Sequence, residues 1–512
     1  MIELPLEIWI YIAAFIPEAT LRDLLGVNLF FYNISMDVRY KSVVLQRFSA
    51  GTKKLLLRLA CVMLWGKTLI GADSRLCSDP AVGKRVRFLT ASPDFQFYGA
   101  VASPPSFGDR INILQHVLHS FRRSRFDHVL RPEKEGTIAL INALPVMSNV
   151  MAFTVDSHSW GEHSGPELNT FLDTAWTSFS SNLKKLSLRG HAASFRTIIT
   201  SKPSLPKVEE LFFELIDSPS SPSDIEDVAD ILLTVFAPFI NSFTPKLQAL
   251  TFWAWTSFEL SALFKALGNF PLLTCFNFQT SFPRTFRDDP SSLSNFLARH
   301  CAQLEILVLR LNTVPLLNAI PLERPLSEWM LKTFCENRFP HLQELQLYPS
   351  ALPKGFDALL TCIQISADTL HTLVVRERYL DPQDLRRLID VLLPNLQSLR
   401  LNLRELDVGV FTILAGKLPR LRSLSLYIGT VPPDIHTFIS ELKARIFIEW
   451  KLRNIGVWQG GSVAPPQLMH AIKHSIPSVV SFWGLGDTDT DTSLTNEQPI
   501  IWSTRNIDDG VL

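Results

Sequence analysis

One frame returns through the middle of this 512-residue chain: an apolar residue, two of any kind, a second apolar residue, one of any kind, and a third apolar residue. It reads NLKKLSL at 182–188, KVEELFF at 207–213, KLQALTF at 246–252, LLTCFNF at 272–278 and QLEILVL at 303–309. HLQELQL (341–347), TLHTLVV (369–375), NLQSLRL (395–401) and RLRSLSL (420–426) continue it; NVMAFTV (149–155) precedes it and SVVSFWG (478–484) is a degraded copy. The last two apolar positions alternate, which predicts a strand that buries one face.

Proline marks the same frames independently. In seven of the eleven, Pro stands two residues before the first apolar anchor: Pro206, Pro245, Pro271, Pro340, Pro394, Pro419 and Pro477. With 33 prolines in 512 residues, eleven random positions would hold about 0.7. Pro cannot continue a helix and pushes its predecessor into extended geometry, so it marks a change from helix to strand. The segment upstream is indeed patterned as a helix. DPQDLRRLIDVLLP has Asp381 as N-cap, Pro382 at the first helical position, and Leu385, Leu388, Ile389 and Leu392 at helical spacing. SEWMLKTFCENRFP repeats the plan from Ser327. From Val150 to Leu421 the first anchors advance in nine steps with a mean of about 30 residues. This resembles leucine-rich repeats with a helix on the outer side. The resemblance implies an α/β solenoid over residues 81–485, with parallel strands on its concave side and helices on its convex side. That family often places Asn or Cys three residues after the third anchor; Asn312 alone fits here, so irregular repeats are expected.

The chain opens on a different pattern, LPLEIWIYIAAFIP at 4–17. A signal peptide would carry positive charge ahead of the apolar run, and a membrane span would need about 20 apolar residues. Here Glu3 and Glu7 flank the run and Pro17 stops it, so an intracellular, soluble protein of cytoplasm or nucleus is expected, with no membrane association. Pro5 suits a first helical turn, and Ile8, Ile12, Phe15 and Ile16 form an apolar stripe. Thr20 starts a second helix whose Leu21, Leu24, Val27 and Phe31 extend the surface. Helices in fewer than 50 residues bury too little of their own surface, so the stripe needs cover from a second polypeptide or from the chain's own first repeat. Five such side chains contribute about 7 to 15 kcal/mol gross on burial, against an association cost of about 4 to 15 kcal/mol.

This opening resembles an F-box, whose pattern runs Leu-Pro, x-Glu, apolar positions on a first helix, a Leu-rich second helix, and Val followed by an aromatic. Leu4, Pro5, Glu7, Ile8, Ile12, Leu21, Leu24, Val27 and Phe31 fall on it, with Phe31 and Tyr32 where many members carry Trp. The resemblance implies that Leu4, Pro5, Ile8, Ile12, Leu21, Leu24, Val27 and Phe31 seat on the Skp-family adaptor of a cullin-RING ubiquitin ligase. The expected organisation is F-box helices at 1–48, a helical linker at 49–80, the repeats, and a flexible polar tail at 486–512. It further implies a non-enzymatic substrate receptor, or, as the alternative, an interaction scaffold that does not direct degradation.

In the repeat frame the residues beside the anchors face outward. Arg189, Trp253, Arg310, Tyr348, Arg376 and Tyr427 directly follow third anchors, and Phe212 lies one outward position earlier. Arg, Trp and Tyr dominate protein interface hot spots, which makes these seven the candidate contacts for an as yet unknown protein substrate. Ordinary solvent-facing strand composition is the competing reading.

Other chemistry finds no support in the residues. Lys plus Arg and Asp plus Glu balance at 49 each, so no overall field draws the chain to nucleic acid, and Arg122, Arg123, Arg125 and Arg131 read as a solvated helix face. Six scattered cysteines with no CxxC pair read as free thiols. GEHSG at 161–165 has its Ser one place late for a nucleophile elbow. DTDTDT at 487–492 is followed by Gln498 where a calcium loop needs Glu. His470 and His474 share a helix face but have no third ligand nearby. No catalytic residue, metal or cofactor is expected.

Overall fold

The structure, a computed structural model, describes residues 5–17, most of 20–45, 82–92, 140–157, 166–200, 204–216, 228–254, 258–311, 320–347, 353–430, 434–459 and 466–483, with a few single-residue interruptions. Leu4, Asn312, Tyr348, the arginine cluster at 122–131, the motifs at 161–165 and 487–492, the expected linker apart from Leu55, and the expected tail lie outside the described residues.

Each of the eleven sequence frames forms a strand, and three more strands carry the frame in weaker form. In the first of two compact units, Met1–Phe239, these are β1 (Ser42–Leu45), β2 (Phe88–Ala91), β3 (Ala152–Asp156), β4 (Lys185–Gly190) and β5 (Glu210–Leu215). They pair in chain order, each parallel to the next. The second unit, Ile240–Leu512, holds β6 (Ala249–Ala254), β7 (Cys275–Gln279), β8 (Ile306–Arg310), β9 (Glu344–Leu347), β10 (Thr372–Leu380), β11 (Ser398–Glu405), β12 (Ser423–Thr430), β13 (Asn454–Gln459) and β14 (Ser481–Trp483). These too run parallel in chain order. The fold class is therefore the α/β solenoid that the repeats predict.

Helices alternate with the strands. The first unit has α1 (Leu6–Ala14), α2 (Leu29–Tyr40), α3 (Pro166–Phe179) and α4 (Ala192–Thr200). The second has α5 (Ser261–Ala266), α6 (Ser291–His300), α7 (Ile320–Glu336), α8 (Pro353–Ser366), α9 (Pro382–Val391), α10 (Val408–Lys417), α11 (Ile435–Lys443) and α12 (Pro466–Ser475). Within the second unit, anchors and helices share a core. Phe264 of α5 packs its ring 5.0 Å from Phe278 of β7 and 5.3 Å from Phe296 of α6. First anchors such as Leu273, Leu304, Leu342 and Leu421 are fully buried.

Proline acts through a turn. Phe270–Pro271–Leu272–Leu273 closes with Leu273 N–H donating to the Phe270 carbonyl at 3.1 Å, which places Pro at the second turn position its fixed φ favours. The same bond forms across Pro206, Pro340, Pro394, Pro419 and Pro477; at Pro245 the anchor Leu247 reaches one residue further back, to Phe243. Each turn presents its anchor side chain to the core and releases the chain as the next strand.

Two details depart from the sequence reading. The helix expected to begin at Ser327 starts at Ile320, with Pro325 inside it and Ser327 buried mid-helix. Burial of Leu326, Trp329 and Met330 on this helix outweighs the local start signal. The sheet also begins earlier than residue 81, since β1 falls within the segment assigned to the N-terminal helices and pairs with β2 through Ser42↔Phe88. Asp381, by contrast, caps α9 as expected, accepting from the backbone of Gln383 and Asp384 at 2.9 and 2.8 Å.

Candidate functional site

Helix α1 is apolar on nearly every side, a composition that suits a helix covered on every side. Its inward row, Trp9, Ala13 and Ile16, packs on Leu21, Leu24, Phe30, Phe31, Ile34 and Val38. Trp9 lies 5.6 Å from the Phe30 ring and 5.4 Å from the Phe31 ring. The outward row, Ile8, Tyr11 and Phe15, follows helical spacing on the other side, and Tyr11 meets Phe15 edge-on at 5.0 Å. These three, with Val27 and Leu29, are between 45% and 75% exposed.

The sequence-assigned surface thus divides. Pro5, Ile8 and Val27 are exposed, and Ile12 and Leu24 are half-buried. Leu21 and Phe31 are buried in the module's own cluster, because a helical module needs some apolar side chains for its own core. Tyr11 and Leu29 are surface residues that the motif did not supply.

The module is joined closely to the first repeat. Helix α2 ends at Tyr40, which is buried as the first anchor of β1, leaving Lys41 alone between helix and strand. Arg85, in the turn before β2, reaches back to α2: Nη1 donates to Asp37 at 2.6 Å and to the Asn33 carbonyl at 3.0 Å, and Nη2 donates to Asn33 Oδ1 at 2.8 Å.

On the sheet, positions between anchors form a second, half-buried face. In the first unit Asp156, Arg189 and Glu214 are register neighbours. Arg189 sits 3.4 Å from the Glu214 carboxylate and 5.3 Å from the centre of the Phe212 ring, so its charge is already paired within the protein. In the second unit Trp253, Gln279 and Arg310 are adjacent in register. Trp253 is largely buried and donates to Asn277 at 3.4 Å, while Arg310 donates to Gln279 at 3.4 Å. Arg376 is half-buried where the β10–β11 register shifts between Val374 and Tyr379. Tyr427 stacks on Trp458 of β13 with ring centres 4.9 Å and planes 11° apart. Arg400 lies 4.4 Å above the Tyr427 ring and donates to its hydroxyl. Trp458 and Arg400 were not among the sequence candidates. Leu452, Ile455 and Val457 do fit the frame, but Trp450 stands where the marker proline would be; Arg400 lies between anchors rather than after the third.

Among the described residues no group of three His, Cys, Asp or Glu side chains is arranged to hold a metal ion. Cys275, Cys301, Cys335 and Cys362 are free thiols. Burial pushes the Cys362 thiol far above its ordinary range and raises that of Cys301, which keeps both protonated and weakly nucleophilic. No described helix is long and apolar enough to cross a membrane. What these surfaces offer is contact area and directed hydrogen bonds.

No family model and no curated protein matches the chain. Among solved structures, it is similar to the leucine-rich repeat-containing protein LegL7 from Legionella pneumophila, at 14% identity and a TM-score of 0.30, covering 57% of this chain and 79% of that one. It is also similar to a chain of the Rad7 and Elc1 complex in yeast, at 15% identity and a TM-score of 0.30, covering 65% of this chain and 96% of that one. At this level of likeness, the functional reading rests on the chain's own residues.

Proposed function

We propose that this chain is a substrate receptor of a cullin-RING ubiquitin ligase, with an F-box module in its N-terminal helices and a protein target held on the open face of the sheet. The two-faced first helix carries the reading. Trp9, Ala13 and Ile16 satisfy the module's own core, yet Ile8, Tyr11 and Phe15 stay in water, where an apolar row is costly unless another surface covers it. The row lies within the segment that resembles an F-box. The Skp-family adaptor then seats on Pro5, Ile8, Tyr11, Ile12 and Phe15, with Val27 and Leu29 beside them and Leu4 at the start of the motif. Leu21, Leu24 and Phe31 support that surface from behind.

In this role the chain performs no bond chemistry. It holds a target near the transferring subunits, and effective concentration does the rest. The test is made in cells with Ile8, Tyr11 and Phe15 changed together to Asp, which leaves β1 intact where a deletion of residues 1–48 would remove it. A receptor loses the adaptor on precipitation, and its bound partner accumulates. Continued adaptor capture contradicts the reading; lost capture without accumulation points to a scaffold that does not direct degradation.

A further inference from the structure

Two arginines stand side by side where β12 and β13 begin. Arg422 and Arg453 each follow the first anchor of their repeat, and the Arg453 N–H donates to the Arg422 carbonyl at 2.9 Å. Lys184 and Glu209 hold the same position in the first unit, and there the opposite charges pair at 3.6 Å. At Arg422 and Arg453 the neighbours are alike in charge, an arrangement that costs stability across a strand pair. Lys451, just before β13, is a third cation, and all three side chains are exposed. Among the described residues none of the three side chains has an ion pair or hydrogen bond. The fold draws no bond from them, so their placement points to an anion outside the chain.

The loop that leads into β13 carries apolar side chains beside those cations. Ile446 and Ile448 are 61% and 77% exposed. Their backbone is nonetheless fixed: Phe447 N–H donates to the Ser475 carbonyl at 2.7 Å, and Trp450 N–H closes a turn onto the Phe447 carbonyl at 3.2 Å. Ile448 thus sits at the tip of a pinned turn, close in sequence to Lys451. Lys443 and Arg445 extend the positive charge, while Glu441 and Glu449 offset part of it, so five cations face two carboxylates. We propose that this edge docks on an anionic lipid surface. Ile446 and Ile448 enter the headgroup region, and Arg422, Lys451 and Arg453 pair with the lipid anions. A bilayer receives projecting apolar tips without the shaped complement that an acidic protein would have to supply, and isoleucine offers no flat ring for nucleic-acid bases to stack on. Such a contact lies on the membrane and needs no spanning helix. It departs from the sequence expectation of no membrane association, because the even charge balance of the whole chain conceals a local excess.

Sedimentation of the full-length chain with sucrose-loaded vesicles tests this. Vesicles of phosphatidylcholine with phosphatidylserine should carry the chain down, phosphatidylcholine alone should not, and raised salt should release it. Each cation at an anionic surface strengthens binding about fivefold, so Arg422→Gln with Arg453→Gln should weaken it about tenfold or more. Arg422→Lys with Arg453→Lys should retain it. Ile446→Ser with Ile448→Ser should also weaken it about tenfold or more. Equal binding to both vesicle types, no binding to either, or full binding by the glutamine or serine variants would overturn the proposal. So would equally tight binding of poly-glutamate or duplex DNA, which would assign the patch to a protein or nucleic-acid partner. Changing Ile8, Tyr11 and Phe15 to Ser should leave vesicle binding unchanged; a loss there would put the contact on α1 and not on this edge.

Discussion

Arg85 reaches across 48 residues of chain to Asp37 at 2.6 Å and brackets Asn33 with the same guanidinium, so the turn before β2 holds the face of α2. Asp37 is well exposed, which leaves the ion pair itself largely screened. The two bonds to Asn33 are better shielded from water than the ion pair.

Arg85→Lys keeps the charge but loses the fork, and it should cost about 1 kcal/mol, with Arg85→Ala costing about 1 to 3 kcal/mol. Hydrogen exchange of the α2 amides should speed up in both variants while the β11–β13 amides stay unchanged. Equal protection of α2 would show that the bonds do not hold the helix.

The two rows of α1 should separate stability from binding. Trp9→Ala removes a half-buried ring from the cluster with Phe30 and Phe31 and should destabilise the module by about 2 to 3 kcal/mol, less than a fully buried aromatic. Tyr11→Ala and Phe15→Ala should change stability by less than about 0.5 kcal/mol, as surface substitutions do. Urea titrations of the three variants decide it, and a large loss for Tyr11 or Phe15 would contradict their exposed placement.

The turn and its anchor should differ in cost. Pro271→Ala keeps the 3.1 Å turn bond and mainly frees the unfolded chain, for about 0.4 to 1 kcal/mol. Leu273→Ala empties a fully buried position and should cost about 2 to 5 kcal/mol. Unfolding midpoints in the same denaturant rank the two.

His300 should make the second unit sensitive to acid. Its Nε2 accepts from the Phe270 N–H at 3.0 Å and its Nδ1 faces the Phe296 carbonyl at 2.7 Å, so the neutral ring is satisfied. Burial lowers its pKa below the ordinary 6.5. The unfolded chain therefore binds a proton that the folded chain refuses. The stability is fully present above about pH 6.5 and is lost as pH falls from there toward the depressed folded value. Unfolding of wild type and His300→Gln, followed from about pH 7.5 down to 5.5, should show the difference between them shrinking with acid. A constant difference would mean His300 does not titrate on unfolding.

The repeat was legible because each strand buries two alternating side chains and each turn favours proline, so two unrelated constraints mark the same positions. β13 escaped because its turn uses Trp450, whose indole donates to the Leu418 carbonyl at 3.0 Å and fills the place another way. β1 and β2 escaped because Tyr40 and Ala91 are atypical anchors. On the open face, residue type alone singled out Arg189 and Trp253, but could not show that Glu214 pairs with the first or that the second is largely buried. Those facts depend on which strands become neighbours. The same holds at α1, where composition gives an apolar helix and only packing divides Trp9 from Tyr11.

The outward row of α1 is the surface proposed to meet the Skp-family adaptor. Titration calorimetry of purified adaptor into the full-length chain, repeated with Ile8, Tyr11 and Phe15 changed to Asp, measures it directly. Saturable binding to the native chain is expected, weakened about 100-fold or more by the triple change while the unfolding midpoint holds. No heat from the native chain, or equal affinity for the variant, would contradict it.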